Sequence, residues 1–208
     1  MHATLALTGD HGRGDAAGRI GPNAVIRVAE VLTEEMGAAT TRALFTAAGL
    51  SRYLDAMPDE MIDEDEVTVL HAVLRDRLGL ARARHIGWQA GHRTGDYLLA
   101  HRIPKLAQML LKRLPAGASS NLLQQAIGRH AWTFAGSGAF SVRPGRPLRL
   151  VIAGGPISRG ASTSEAVCDF YAATFERLYR ELVDPRTTAV ETACEAAGAA
   201  ECVFELRF

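Results

Sequence analysis

From Asn23 onward, apolar residues recur at every third or fourth position. Ala24, Val25, Val28, Leu32 and Met36 mark one helical face, and Gly37 supplies a C-terminal stop. Short helices are predicted near 39–48 and 51–56. A longer one should follow Asp63-Glu-Asp-Glu66, whose acids suit the positive end of the helix dipole and read as a solvated helix start. Residues 81–102 form one long helical pattern, closed by Ile103-Pro104. Further helices are expected at about 105–113 and 119–130.

After residue 130 the period changes. Ala131-Trp-Thr-Phe134, Phe140-Ser-Val142 and Leu148-Arg-Leu-Val-Ile152 are short β-branched and aromatic runs between Gly and Pro turns, and they suggest a β-meander. A helix is expected from about Ser164 to Val183, capped by Thr163 or Ser164, with Phe170, Tyr171, Phe175 and Leu178 facing inward. Two strands, near 187–194 and 201–208, close the chain, and the second alternates through Cys202, Phe204, Leu206 and Phe208. This order predicts an α+β fold, with N-terminal helices on an antiparallel sheet and a long C-terminal helix. Residues 1–19, Gly-rich and without period, read as a flexible arm before a single domain, 20–208. Within that arm Gly12-Arg-Gly14-Asp-Ala-Ala-Gly18 looks like a dinucleotide fingerprint, but its spacing is off by one and Gly21-Pro22 interrupts the helix such a motif needs.

Composition changes this picture little. The 208 residues are 48% hydrophobic with mean hydropathy +0.02, enough for a full core. Lys and Arg number 23 against 23 Asp and Glu. A neutral chain is not expected to present a basic face, so neither nucleic acid nor DNA regulation is indicated. No apolar run is long enough to span a membrane, and the N-terminus has no secretory pattern, so a cytoplasmic protein is expected.

The cysteines change it more. Cys168, Cys194 and Cys202 all lie in the last fifth of the chain, and with Glu191 they form the pattern C-x22-E-x2-C-x7-C. Three thiolates and a carboxylate complete a four-coordinate zinc shell without water, whereas soft sulfur disfavours magnesium or calcium. The other reading is three small thiols packed in a core, with Glu191 on a solvated edge.

Several stretches resemble the 4-vinyl reductase domain family. They are Ile20-Gly-Pro-Asn-Ala-Val-Ile-Arg27, Ala90-Gly-His-Arg-Thr-Gly-Asp-Tyr97 with Ile103-Pro104, and Cys194-Glu-Ala-Ala-Gly-Ala-Ala-Glu-Cys-Val-Phe-Glu205. The resemblance spans residue 20 to the C-terminus. It implies a fold similar to a vesicle-tethering component with a lipid-sized pocket. It also implies a structural Zn²⁺ on Cys168, Glu191, Cys194 and Cys202, because aromatic-sensing members hold zinc through a Cys, Glu, Cys, Cys set. The functional implication lies in bacteriochlorophyll biosynthesis. There the ligand is a chlorophyll precursor such as divinyl protochlorophyllide or chlorophyllide, and the partners are other pathway enzymes, with a homodimer also compatible. Two activities fit: a tetrapyrrole carrier, or an 8-vinyl reductase working with an external electron donor. Vinyl reduction needs a redox cofactor and zinc has no redox chemistry, so the carrier reading is preferred and no catalytic residue is assigned.

A chlorin site needs aromatic walls, a cation for the propionate and an imidazole for the metal. His85, Trp88, His92, Arg93 and Tyr97 recur along the 81–102 helix, with Asp96 placed to orient His92 and Arg102 nearby. His130 and Trp132 form an alternative pair.

Overall fold

The structure, a computed structural model, describes residues 18–208. The expected arm and its glycine motif lie almost wholly outside the described residues, although Arg19 already belongs to the fold. It pairs in a two-stranded ribbon, β1 (Arg19–Ile20) with β2 (Ile62–Asp63).

Helix α1 (Asn23–Ala47) joins the two predicted N-terminal helices. Gly37 is a kink and not a stop: its φ of 80°, ψ of 160° breaks the helical path, and the helix resumes beyond it. Only glycine adopts that backbone without strain. The short α2 (Arg52–Asp55) precedes α3 (Glu64–Leu78), where Asp63 caps by accepting from the Asp65 N–H at 2.9 Å. The acidic start is not wholly solvated. Glu64 is buried and accepts from the Ser137 N–H (2.8 Å) and Arg159 (2.8 Å), which ties α3 to the later loops.

Helix α4 (Leu80–Tyr97) runs into a π-helical turn at Leu98–Arg102, as the single long pattern required. Next come α5 (Lys105–Arg113) and α6 (Ala116–Arg129), each preceded by a proline. The run predicted as a first strand, Ala131–Phe134, is instead a helical turn, α7 (Trp132–Ala135). Its aromatic Phe134 is satisfied by packing edge-on to Phe140, Tyr171 and Phe175, so helical backbone serves the same core contacts.

Strands β3 (Ala139–Arg143), β4 (Leu148–Ala153), β5 (Thr188–Ala193) and β6 (Cys202–Arg207) form an antiparallel sheet in the order β3-β4-β6-β5. Helix α8 (Asp169–Leu182) begins later than its periodicity suggests. Cys168 stands at its N-cap, and neither Thr163 nor Ser164 caps it. One face of α8 meets the sheet through Phe175 and Phe204 (ring centroids 5.5 Å apart). The opposite face meets α4, the most extensive helix pair. The two backbones approach closely at Gly91, where a Cβ would lie 2.8 Å from the Phe170 carbonyl carbon. The core is therefore a stack: α1 and α3 on α4, α4 on α8, α8 on the sheet.

Candidate metal centre

The four predicted ligands come from three elements that α8 brings together. Cys168 opens that helix, Glu191 lies on β5, Cys194 follows β5, and Cys202 opens β6. In a regular strand, residues three apart point to opposite faces. Glu191 and Cys194 avoid this because β5 carries a bulge. Glu191 pairs with Phe204 and Ala193 with Val203, so Thr192 is an extra residue. The bulge resets the alternation and puts Glu191 and Cys194 on one face with Phe204 and Cys202, the face α8 covers.

The resulting cluster is tight. All four ligand atoms lie within 4.8 Å of one another. The Cys202 sulfur is 3.7 Å from that of Cys168 and 3.8 Å from that of Cys194. These separations are too long for disulfides, and all three thiols are free. They match the edge of a tetrahedron of sulfurs around zinc, about 3.8 Å for bonds of ~2.3 Å.

The donor set calls for a cation on two further grounds. Glu191 Oε2 accepts from the Cys168 N–H at 2.8 Å, but Oε1 is buried and finds no hydrogen-bond partner among the described residues. Burial and the Cys194 charge push the Glu191 carboxyl up to about 8. Hydrogen bonding with Cys194 and Cys202, reinforced by burial, drives the Cys168 thiol well above its usual value. Cys202 is drawn down by Cys168, yet sharing with Cys194 and burial carry it up to about 12. Cys194, receiving hydrogen bonds from both other thiols, falls far below the usual range. At neutral pH the cluster thus holds a thiolate at Cys194 and keeps its other groups protonated. A divalent metal is what lets all four deprotonate, so the residues fit such an ion.

Three surrounding groups complete the setting, and the sequence pattern carries no signal for two of them. Arg75 on α3 donates to the Ile157 carbonyl (3.0 Å), and the Cys168 and Cys194 charges partly offset the lowering that burial imposes on its guanidinium. It supplies positive charge to an anionic site. Ser158, buried, sits 3.5 Å from the Cys202 sulfur and donates to Glu195 at 2.9 Å. Glu195 adjoins Cys194 in the chain, and its backbone N–H donates to the Cys202 sulfur at 3.5 Å.

The pigment candidates are not gathered at one place. His85 and Trp88 line a groove of about 480 Å³ on α4, with Leu80, Arg84 and Asp169. His85 is held by Glu35 at 3.0 Å. Arg93, paired with Glu34, and Tyr97 line a second groove of about 370 Å³ with Arg27 and His101. Asp96 lines it too, and lies 3.5 Å from His92 but 2.6 Å from Arg177, its stronger partner. Tyr97 stacks between the guanidinium groups of Arg27 and Arg102. His130 and Trp132 are exposed at the α6–α7 junction, on neither groove.

Residues 148–208, which contain all four ligands, match the family model of the 4-vinyl reductase domain. Over 190 residues the chain is 44% identical to the bacteriochlorophyll synthase 23 kDa chain of Cereibacter sphaeroides, covering 91% of each. It is 38% identical over 189 residues to the protein of the same description from Rhodobacter capsulatus, covering 90% of this chain and 86% of that one. Among solved structures, an H-NOX protein from K. algicida superposes with a TM-score of 0.55 at 12% identity, covering 90% of this chain and 96% of that one. The phenol-responsive sensory domain of the transcription activator PoxR gives 0.51 at 14%, covering 70% and 74%. At such identities these two speak for the fold alone. With a matching C-terminal third and likeness to the 23 kDa chains along nearly its whole length, the chain belongs to the 4-vinyl reductase domain family.

Proposed function

We propose that this protein is a zinc-stabilised tetrapyrrole carrier that holds chlorophyllide precursors and passes them between enzymes of bacteriochlorophyll biosynthesis. The pathway is suggested by the relatives described as bacteriochlorophyll synthase 23 kDa chains. The observation that carries the rest is the closed donor set. Cys168, Glu191, Cys194 and Cys202 would hold the ion with four protein ligands, leaving no open coordination position, which is the pattern of structural and not catalytic zinc. The bound ion would supply no redox chemistry; it would clamp the start of α8 to β5 and β6. The chain's own residues then act by binding. The groove beside Trp88 offers an indole wall, and His85 offers an imidazole at its rim. Its volume lies within the usual range of small-molecule sites.

Two measurements test the reading. Metal analysis of protein prepared without added zinc is expected to give one zinc per chain and none in Cys194→Ser, with chelation lowering the melting temperature. Fluorescence titration of divinyl protochlorophyllide is expected to saturate, and to weaken about tenfold or more in Trp88→Ala, since truncating a large aromatic at a binding site commonly removes more than about 1 kcal/mol. No saturable binding would end the carrier reading. Turnover of the 8-vinyl group by the purified chain with NADPH or ferredoxin would replace it with the reductase.

A further inference from the structure

The zero net charge conceals a marked asymmetry. Between Tyr97 and Ser164 there is no Asp or Glu at all, while nine Lys and Arg fall in that stretch. Four of the nine are neutralised by carboxylates from elsewhere in the chain: Glu64, Glu181, Glu201 and Glu205. Arg102, Lys105, Arg113, Arg129 and Arg146 have no ion-pair partner among the described residues.

The same stretch carries an independent anomaly. Among the described residues nine large apolar side chains are exposed, and five of them lie between 106 and 132: Leu106, Met109, Leu110, Leu122 and Trp132. Leu106 is 76% exposed and Leu110 57%, although each stands in a well-formed helix. Their spacing is helical. Leu106, Met109, Leu110 and Arg113 share the outer face of α5, while Gln108 and Leu111 turn inward. Gln108 fixes that orientation by donating to the carbonyls of Leu99 (2.6 Å) and Ile103 (2.8 Å). The helix is anchored on its polar inner side and offers leucines outward, the reverse of an ordinary surface helix.

We propose that α5, with the start of α7 and the unpaired cations around them, is a docking surface for an anionic phospholipid membrane. A short helix with apolar residues on one face, Lys and Arg at its edges and no acid lies in a membrane interface: the leucines enter the acyl boundary and the cations meet the phosphates. No helix of the described residues is long and apolar enough to cross a membrane, so the protein lies on the surface through this patch. The lipid is favoured over an acidic protein because the apolar stripe is convex and bordered by cations on flexible stems, a geometry that suits a deformable plane.

The test is flotation of the intact protein with vesicles of pure phosphatidylcholine and of phosphatidylcholine mixed with phosphatidylglycerol. Binding is expected to the mixed vesicles only, and to be largely lost in about 1 M salt, where the Debye length falls to ~3 Å. Lys105→Glu with Arg113→Glu is expected to weaken binding by roughly fivefold or more for each cation reversed. Leu106→Glu with Leu110→Glu is expected to abolish it. All four positions are exposed, and an unchanged circular dichroism spectrum and metal content will show that the fold persists. Failure of the wild type to bind anionic vesicles, or equal binding by both double variants, would overturn the proposal. So would binding to polyglutamate without binding to vesicles, which would assign the surface to an acidic protein.

Discussion

Acidification will destabilise this protein through one buried imidazole. His71 lies on α3 with 4% of its surface exposed, edge-on to Phe170 at 6.3 Å, and its Nε2 has no hydrogen-bond partner among the described residues. Burial, helped by the Arg75 cation one turn along the helix, pushes it from 6.5 down to about 3. The folded state therefore keeps the ring neutral, while the unfolded chain protonates it below 6.5. The unfolded state then binds one more proton, so the stability contributed by neutral His71 is complete above 6.5 and is lost as the pH falls toward 3. The slope is about 1.4 kcal/mol per pH unit within that window, or ~2 kcal/mol by pH 5. Urea unfolding of wild type and His71→Leu, at matched metal content from about pH 7.5 to 5, measures this directly. Proton uptake at the cysteines and carboxylates is common to both proteins and cancels in the difference. Near neutrality the variant is expected to be no less stable than wild type by more than about 1.5 kcal/mol, because it removes an unsatisfied buried nitrogen with a modest change of shape. Below pH 6.5 the wild type should lose ground to it. Parallel curves for the two proteins, or an imidazole signal titrating near its ordinary value in the folded state, would refute the argument.

Two further outcomes probe the fold around the metal centre. Gly91→Ala drives a methyl group into the Phe170 carbonyl, which is backbone and cannot step aside, so α4 and α8 must part. A loss of about 1–3 kcal/mol is expected by thermal or urea unfolding, and an unchanged melting temperature would show that the contact is looser than described. Deleting Thr192 removes the extra residue of the bulge and leaves Glu191 and Cys194 as alternate residues, still on one face. The shortened protein is expected to keep one zinc per chain by metal analysis; zinc loss would mean that the bulge sets ligand distance as well as ligand face.

Much was legible in the residue pattern. The helices at 64–78 and 80–97, the strands at 148–153 and 202–207, and the set Cys168, Glu191, Cys194 and Cys202 all follow from local periodicity and residue chemistry. Tertiary structure decided the rest, because it depends on partners distant in the chain. The spacing of Glu191 and Cys194 suits one face of a strand only when a bulge is present, and that bulge exists through the pairing of β5 with β6. Ala131–Phe134 has strand-like composition, yet takes a helical turn because Phe134 reaches the aromatic core from it. The acids at 63–66 look alike in sequence, but only Glu64 meets Arg159 and Ser137 and is buried. His85 and Tyr97 share a helix and still open on different grooves, since what faces each is set by α1 and the loop before α8. Periodicity records which side of an element is apolar; which neighbour covers that side, and which charge waits there, is a property of the packed chain.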